Sequence, residues 1–116
     1  MTKIETFPNP NPERDYTITH VNPEFTSVCP KTGLPDFGKI TINYIPNAEC
    51  LELKALKYYF MGFREKGIFY EAVTNLILDE LVEACHPREM EIVSDWNYRG
   101  GMTSTIRVKY KKPSEF

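Results

Sequence analysis

The hydrophobic period of this chain changes twice, and that change limits its fold more than any single residue does. "GKITINYI", residues 38–45, alternates apolar and polar through Ile40, Ile42 and Tyr44, the two-residue period of a half-buried strand. "DYTITHV", residues 15–21, alternates likewise, with Tyr16, Ile18 and His20 on one face. Pro46-Asn47 stops the second of these strands, and Asn47 or Glu49 can start a helix. From about residue 52 the period lengthens: Leu53, Leu56, Phe60 and Phe63 recur at helical spacing, with Gly67 expected to end this first helix. A second helical face collects Val73, Leu76, Ile77, Leu81 and Ala84 ahead of Pro87. Alternation then returns in "EMEIVSDWNY" and "TSTIRVKY", which flank Gly100-Gly101, a pair suited to a tight hairpin. The order strand, strand, helix, helix, strand, strand predicts an α+β fold, a four-stranded antiparallel sheet with two helices on one face.

Residues 1–14, punctuated by Pro8, Pro10 and Pro12, are expected to form an extended arm without regular structure, and residues 15–116 a single domain. A chain of 116 residues has room for one core. The net charge of -2 argues against a general nucleic-acid binder. Cys29, Cys50 and Cys85 are odd in number and show no C-x-x-C spacing, which fits reduced thiols in the cytoplasm. The first residues lack the apolar core of a signal peptide, and no stretch approaches the ~18 apolar residues of a membrane span. His20 and His86 lie far apart without ligands at a recognisable spacing, so no metal is expected.

A sheet of four strands leaves edges that a monomer must protect, and joining them to neighbouring subunits is one solution. Charge is uneven as well. Residues 67–87 hold Glu71, Asp79, Glu80 and Glu83 but no Lys or Arg, whereas residues 96–114 hold Arg99, Arg107, Lys109, Lys111 and Lys112 but no acid. Glu80 falls within the apolar face of Val73, Ile77 and Ala84, either at its solvated edge or against a partner.

The chemistry-bearing stretch is "FTSVCPKTGLPDF", residues 25–37. A free cysteine is most often a small buried hydrophobe. Cys29 instead sits in a turn-rich segment with Lys31 and Asp36 nearby, a setting for a reactive thiolate. Asp36 in "PDFG" is either a turn residue or a buried acid with Phe25 and Phe37 as apolar surroundings. In "ELKALKYYF", residues 52–60, Lys54 and Lys57 share a helix face, as solvated lysines or, with Arg99, as phosphate ligands. No G-x-G-x-x-G follows a strand, so any nucleotide binds outside a Rossmann unit. Glu71 in "FYE" is a first-turn acid or an acceptor for the N–H pair of a purine-like edge.

Together "FPNPNPERDY", "FTSVCPKTGLPDF", "ELKALKYYF", "FYEAVTN" and "YRGG" span nearly the whole chain and resemble the QueF family of nitrile reductases. That family converts 7-cyano-7-deazaguanine to 7-aminomethyl-7-deazaguanine in queuosine biosynthesis. The resemblance implies the tunnelling fold and a homo-oligomer with substrate sites between subunits, a decamer of two stacked pentamers for this short form. It implies NADPH as reductant, Cys29 as the nucleophile that forms a thioimide, and Asp36 as the proton donor. It implies further that Glu71, with Leu51, Glu52, Leu53 and Tyr70, holds the substrate, and that Lys54, Lys57 and Arg99 meet the cofactor phosphates. Where many of these reductases have His before the glutamate, this chain has Tyr70. Two other readings compete: the related amidinotransferase branch, which lacks the "ELKALK" motif, and a non-catalytic ring-forming purine or pterin binder.

Overall fold

Alternating burial builds the sheet. The computed structural model describes residues 4–113. Its four-stranded antiparallel sheet runs in the order β2 (Ile18–Val28), β3 (Pro35–Ile45), β5 (Glu89–Arg99), β6 (Met102–Lys111). Ile40, Ile42 and Tyr44 of β3 and Met90, Ile92, Ser94 and Trp96 of β5 all project to the buried face. There they meet α1 (Leu53–Met61) and α2 (Tyr70–Cys85) through Leu56, Phe60, Val73, Ile77 and Leu81. This is the predicted α+β arrangement. Gly100 and Gly101 both have positive φ, as the tight β5–β6 turn requires, so the hairpin lies where the sequence puts it.

Several features differ from the sequence reading, among them β2 and β3, which span Ile18–Val28 and Pro35–Ile45 where alternation put strands at 15–21 and 38–45. The arm is extended but not without regular structure. β1 (Thr6–Pro8) pairs antiparallel with β4 (Glu49–Leu51) in a small second sheet. Pro8 is tolerated because it closes that strand pair, and buried Asn9 ties the arm down by donating from Nδ2 to the Asn47 carbonyl at 2.7 Å. Arg88 adds a second anchor, 2.8 Å from Asp15.

Because Glu49 belongs to β4, neither it nor Asn47 starts the helix. Glu52 is the N-cap, its carboxylate accepting from the backbone N–H of Lys54 at 2.9 Å and of Ala55 at 2.8 Å. α1 closes at Gly62 rather than Gly67. The freed residues 63–69 turn back, so that Gly67 bridges Val28 in parallel. Finally, the buried face of α2 is turned slightly from the predicted one, with Thr74, Leu78 and Cys85 buried and Leu76 and Ala84 only partly so.

Glu80 is half-buried at the edge of the apolar face of α2. It accepts a 2.7 Å hydrogen bond from the Tyr59 hydroxyl, which ties α2 to α1. Burial and that carboxylate together push the Tyr59 phenol well above its ordinary range. Among the described residues no helix is long and apolar enough to cross a membrane.

Candidate active site

Two β-bulges place the chemistry. In β2, Asn22 pairs with Ile40 but Phe25 pairs with Gly38, so one extra residue enters the strand around Pro23, which has no N–H to give the ladder. The insertion flips the parity of everything after it. Ile18 and His20 lean inward before the bulge, whereas Phe25 and Ser27 are fully buried after it. Cys29 inherits that odd parity and therefore shares the helix-side face with Asp36 of β3. β5 repeats the device, with Trp96 opposite Ser104 but Arg99 opposite Met102. The extra residue carries Arg99 round to the same face, where Nη2 lies 3.2 Å from Asp36 Oδ1 and also bonds the Pro35 carbonyl.

Cys29 opens the six-residue loop between β2 and β3. Its N–H donates to the Leu34 carbonyl at 2.9 Å, and its carbonyl accepts from Gly33 N–H at 2.8 Å. Gly33 makes that closure at φ +73°, a left-handed conformation in which a side chain is strained. The Thr32 hydroxyl, followed by the backbone N–H groups of Thr32 and Lys31, holds the thiol below its ordinary value; burial and the Asp36 charge oppose this in part. Cys29 is partly exposed, whereas Cys50 and Cys85 are buried. Burial pushes the Cys85 thiol up to about 12. Of the three thiols, that of Cys29 is the accessible one.

Asp36 lies in a strand, not a turn, and is 5% exposed. Phe25 packs in the core on its side of the sheet, but Phe37, 52% exposed, faces the opposite way because strand neighbours alternate. Asp36 is enclosed instead by Tyr70 and Arg99. The Tyr70 hydroxyl donates to Oδ1 at 3.2 Å. Burial, then the Asp36 charge and that hydrogen bond, raise the Tyr70 phenol above its ordinary value and keep it a donor.

Tyr70 is itself held firmly. Its ring stacks on Trp96 with centroids 4.1 Å apart and planes 9° from parallel. Trp96 lies flat because its partner is Gly38, where a Cβ would stand 2.7 Å from the Asp95 carbonyl and 2.9 Å from the indole. Beneath the ring runs a hydroxyl ladder: Trp96 Nε1–H donates to Ser94 Oγ at 3.0 Å, Ser94 meets Thr74 at 2.7 Å, and Thr74 donates to the Tyr70 carbonyl at 2.7 Å. Ser27, directly opposite Asp36, keeps a buried hydroxyl with no hydrogen-bond partner.

Of the residues singled out from sequence, one chain brings together Cys29, Asp36, Tyr70 and Arg99, with Glu71 exposed on the first turn of α2 beside them. It does not bring Leu51, Glu52, Leu53, Lys54 or Lys57 to that point. Leu51 is in the core, Glu52 caps α1, and Lys54 is exposed on the first turn of α1. Leu53 and Lys57 line a groove of about 290 Å³ between α1 and bulged β2, together with His20, Phe25, Met61 and Arg64. Arg64 was missed because no motif holds it. Ser27, Ser94 and Trp96 were missed because a lone hydroxyl or indole carries no spacing signal.

The fold is of the α+β class that the sequence implied. It matches the crystal structure of the archaeosine synthase QueF-Like in the apo form with a TM-score of 0.77, over 84% of this chain and 96% of that one, at 18% identity. That identity speaks for the fold alone. Sequence goes further. A family model described as QueF-like protein matches residues 35–115. The NADPH-dependent 7-cyano-7-deazaguanine reductase of Chlorobaculum tepidum is 64% identical over 97% of this chain and 96% of its own. The proteins of the same name from Chlorobaculum parvum and Chloroherpeton thalassium are 66% and 65% identical, over 92% and 93% of each chain. This chain belongs to the QueF-like family.

Proposed function

We propose that this protein is a nitrile reductase that converts 7-cyano-7-deazaguanine to 7-aminomethyl-7-deazaguanine with NADPH, in the cytoplasm, as a step of queuosine biosynthesis. The observation that carries the reading is the pairing of one activated thiol, Cys29, with one buried acid, Asp36, on the same face of the sheet. The Cys29 sulfur adds to the nitrile carbon while Asp36 gives its proton to the nitrogen, leaving a neutral thioimide. The same sulfur later leaves as a thiolate, which Thr32 and the loop amides favour. NADPH, when bound, supplies the two hydrides that take the carbon to the amine level. Glu71 accepts the N–H pair of the deazaguanine edge, and Tyr70 borders the same pocket.

For NADPH, the groove beside α1 fits in kind: apolar walls from Phe25, Leu53 and Met61, with Lys57 and Arg64 at its rim. Lys54, Lys57 and Arg64 are the residues that would hold its phosphates. Arg99 is already engaged at Asp36. Because Glu52, Leu53 and the lysines stand apart from Cys29 within one chain, the complete site forms between subunits. The edge strands β2 and β6 offer the means, by continuing the sheet from one copy to the next. The assembly is a homo-oligomer, a decamer of two stacked pentamers.

The test is intact-mass measurement after mixing with the nitrile, then NADPH oxidation. A covalent adduct without NADPH and two NADPH consumed per nitrile are expected. Asp36→Asn, which keeps size but loses the acidic proton, should lower turnover roughly 10²–10⁴-fold while nitrile binding changes little. Absence of any adduct on the parent chain refutes the reading, and light scattering that shows an active monomer refutes the assembly.

A further inference from the structure

Asp36 is addressed on one oxygen only. The Tyr70 hydroxyl donates to Oδ1 at 3.2 Å, and Arg99 Nη2 stands 3.2 Å from the same atom. Among the described residues no hydrogen bond reaches Oδ2. The phenol hydroxyl and the guanidinium come from different elements, and each is fixed independently of the acid. Tyr70 is clamped by its stack on Trp96 and by Thr74 on its carbonyl. Arg99 is turned inward by the β5 bulge and held on the Pro35 carbonyl. A tyrosine needed only for packing on Trp96 has no use for a hydroxyl aimed at a carboxylate.

A protonated carboxyl carries its proton on one oxygen and accepts on the other. We propose that Tyr70 and Arg99 are positioning residues that pin Oδ1 of Asp36, so that Oδ2 is the oxygen that delivers the proton to the nitrile nitrogen. The proposal deepens the function above and rests on Asp36 being the proton donor. As the sulfur–carbon bond forms, one C–N π bond breaks and its electron pair takes the proton from Oδ2. The O–H electrons stay on Asp36, and the carboxylate left behind is already met at Oδ1 by the Tyr70 hydroxyl and the Arg99 charge. Arg99 thereby moves from the cofactor phosphates, where the sequence put it, to the acid.

The experiment follows adduct formation between the full chain and 7-cyano-7-deazaguanine without NADPH. Tyr70→Phe keeps the stack on Trp96 and removes only the hydroxyl. It should form the adduct about tenfold more slowly, the size of effect one such hydrogen bond supports. Nitrile affinity, compared between Cys29→Ala and Cys29→Ala/Tyr70→Phe, should be unchanged. Arg99→Met should slow adduct formation as well and leave the KM for NADPH where it was. Adduct formation at the parent rate in Tyr70→Phe overturns the proposal. So does an Arg99→Met variant that reacts normally but binds NADPH poorly. A parent chain that forms no adduct overturns the proposal together with the function it rests on, and is recognised before any variant is compared.

Discussion

The two ends of the four-stranded sheet follow different rules. At one end β3 and β5 run in unbroken register, with Ile42 opposite Ile92 and Tyr44 opposite Met90, every inward residue apolar and nearly inaccessible. At the other end β2 and β5 each carry a bulge, a glycine replaces a side chain at position 38, and a carboxyl and an unpartnered hydroxyl are buried. Regular pairing maximises burial, which supplies stability. Irregular pairing changes which residues share a face, and that is how Cys29, Asp36 and Arg99 come to one point. The contrast shows where this small domain spends stability for chemistry.

The largest test separates the ends by outcome. Cys29→Ala should abolish the adduct and turnover while leaving the unfolding midpoint nearly unchanged, and Cys50→Ala should retain the adduct. An adduct that survives on the Cys29 variant means that the bulge in β2 serves something else. At the regular end, Ile92→Ala should behave in the opposite way. It removes a fully buried side chain, so denaturant unfolding should show a loss of about 2–5 kcal/mol. The kcat of the protein that remains folded should match the parent; a kcat that falls in step would mean the two ends are not separable.

How much of this was legible follows the same division. The regular end was readable because its signal is periodic: Ile40, Ile42 and Tyr44 alternate in plain view, and the Gly100-Gly101 turn is local chemistry. Cys29 and Asp36 were legible as a pair through the resemblance, but the device that brings them to one face was not, since it is a one-residue slip near Pro23 that no alternation predicts. Phe37 was misplaced for the same reason that Phe25 was not, one strand position deciding the face. The ion pair of Arg99 with Asp36 was not legible at all, because the two residues meet only after folding. The start of α1 was misjudged because Glu is an uncommon cap, whereas Asn47 and Pro46 form a familiar stop-and-start pair.

A smaller effect should come from Gly38, where the ends meet. In Gly38→Ala the new methyl must displace the Asp95 carbonyl or the Trp96 indole, and overpacking of this kind costs about 1–3 kcal/mol. Because Trp96 carries the stack on Tyr70, the site should feel the change more than the core does. Tryptophan fluorescence, clean here because Trp96 is the one tryptophan, should shift, and adduct formation should slow. A variant with normal fluorescence and a normal adduct rate would show that Trp96 does not depend on this glycine.

The smallest expected change is in the loop that activates the thiol. A thiol reacts as its thiolate, so the rate of alkylation by iodoacetamide rises with pH and reaches half its plateau at the pKa. In Cys29 that point is drawn downward, first by the Thr32 hydroxyl and then by the N–H groups of Thr32 and Lys31. Thr32→Val keeps the shape of the side chain and both amides but removes the hydroxyl. The folded-state value should therefore rise toward that of an ordinary thiol. The variant should react more slowly at pH values below that range and at the parent rate well above it, where both thiols are fully ionised. The same hydroxyl also accepts from Leu34 N–H at 3.2 Å, so some loosening of the loop is expected alongside. That loosening alone would lower or raise the whole curve without moving its midpoint. A midpoint that stays where the parent's lies would mean that the backbone amides activate Cys29 by themselves, and that the irregular end owes its reactivity to loop geometry rather than to a side chain.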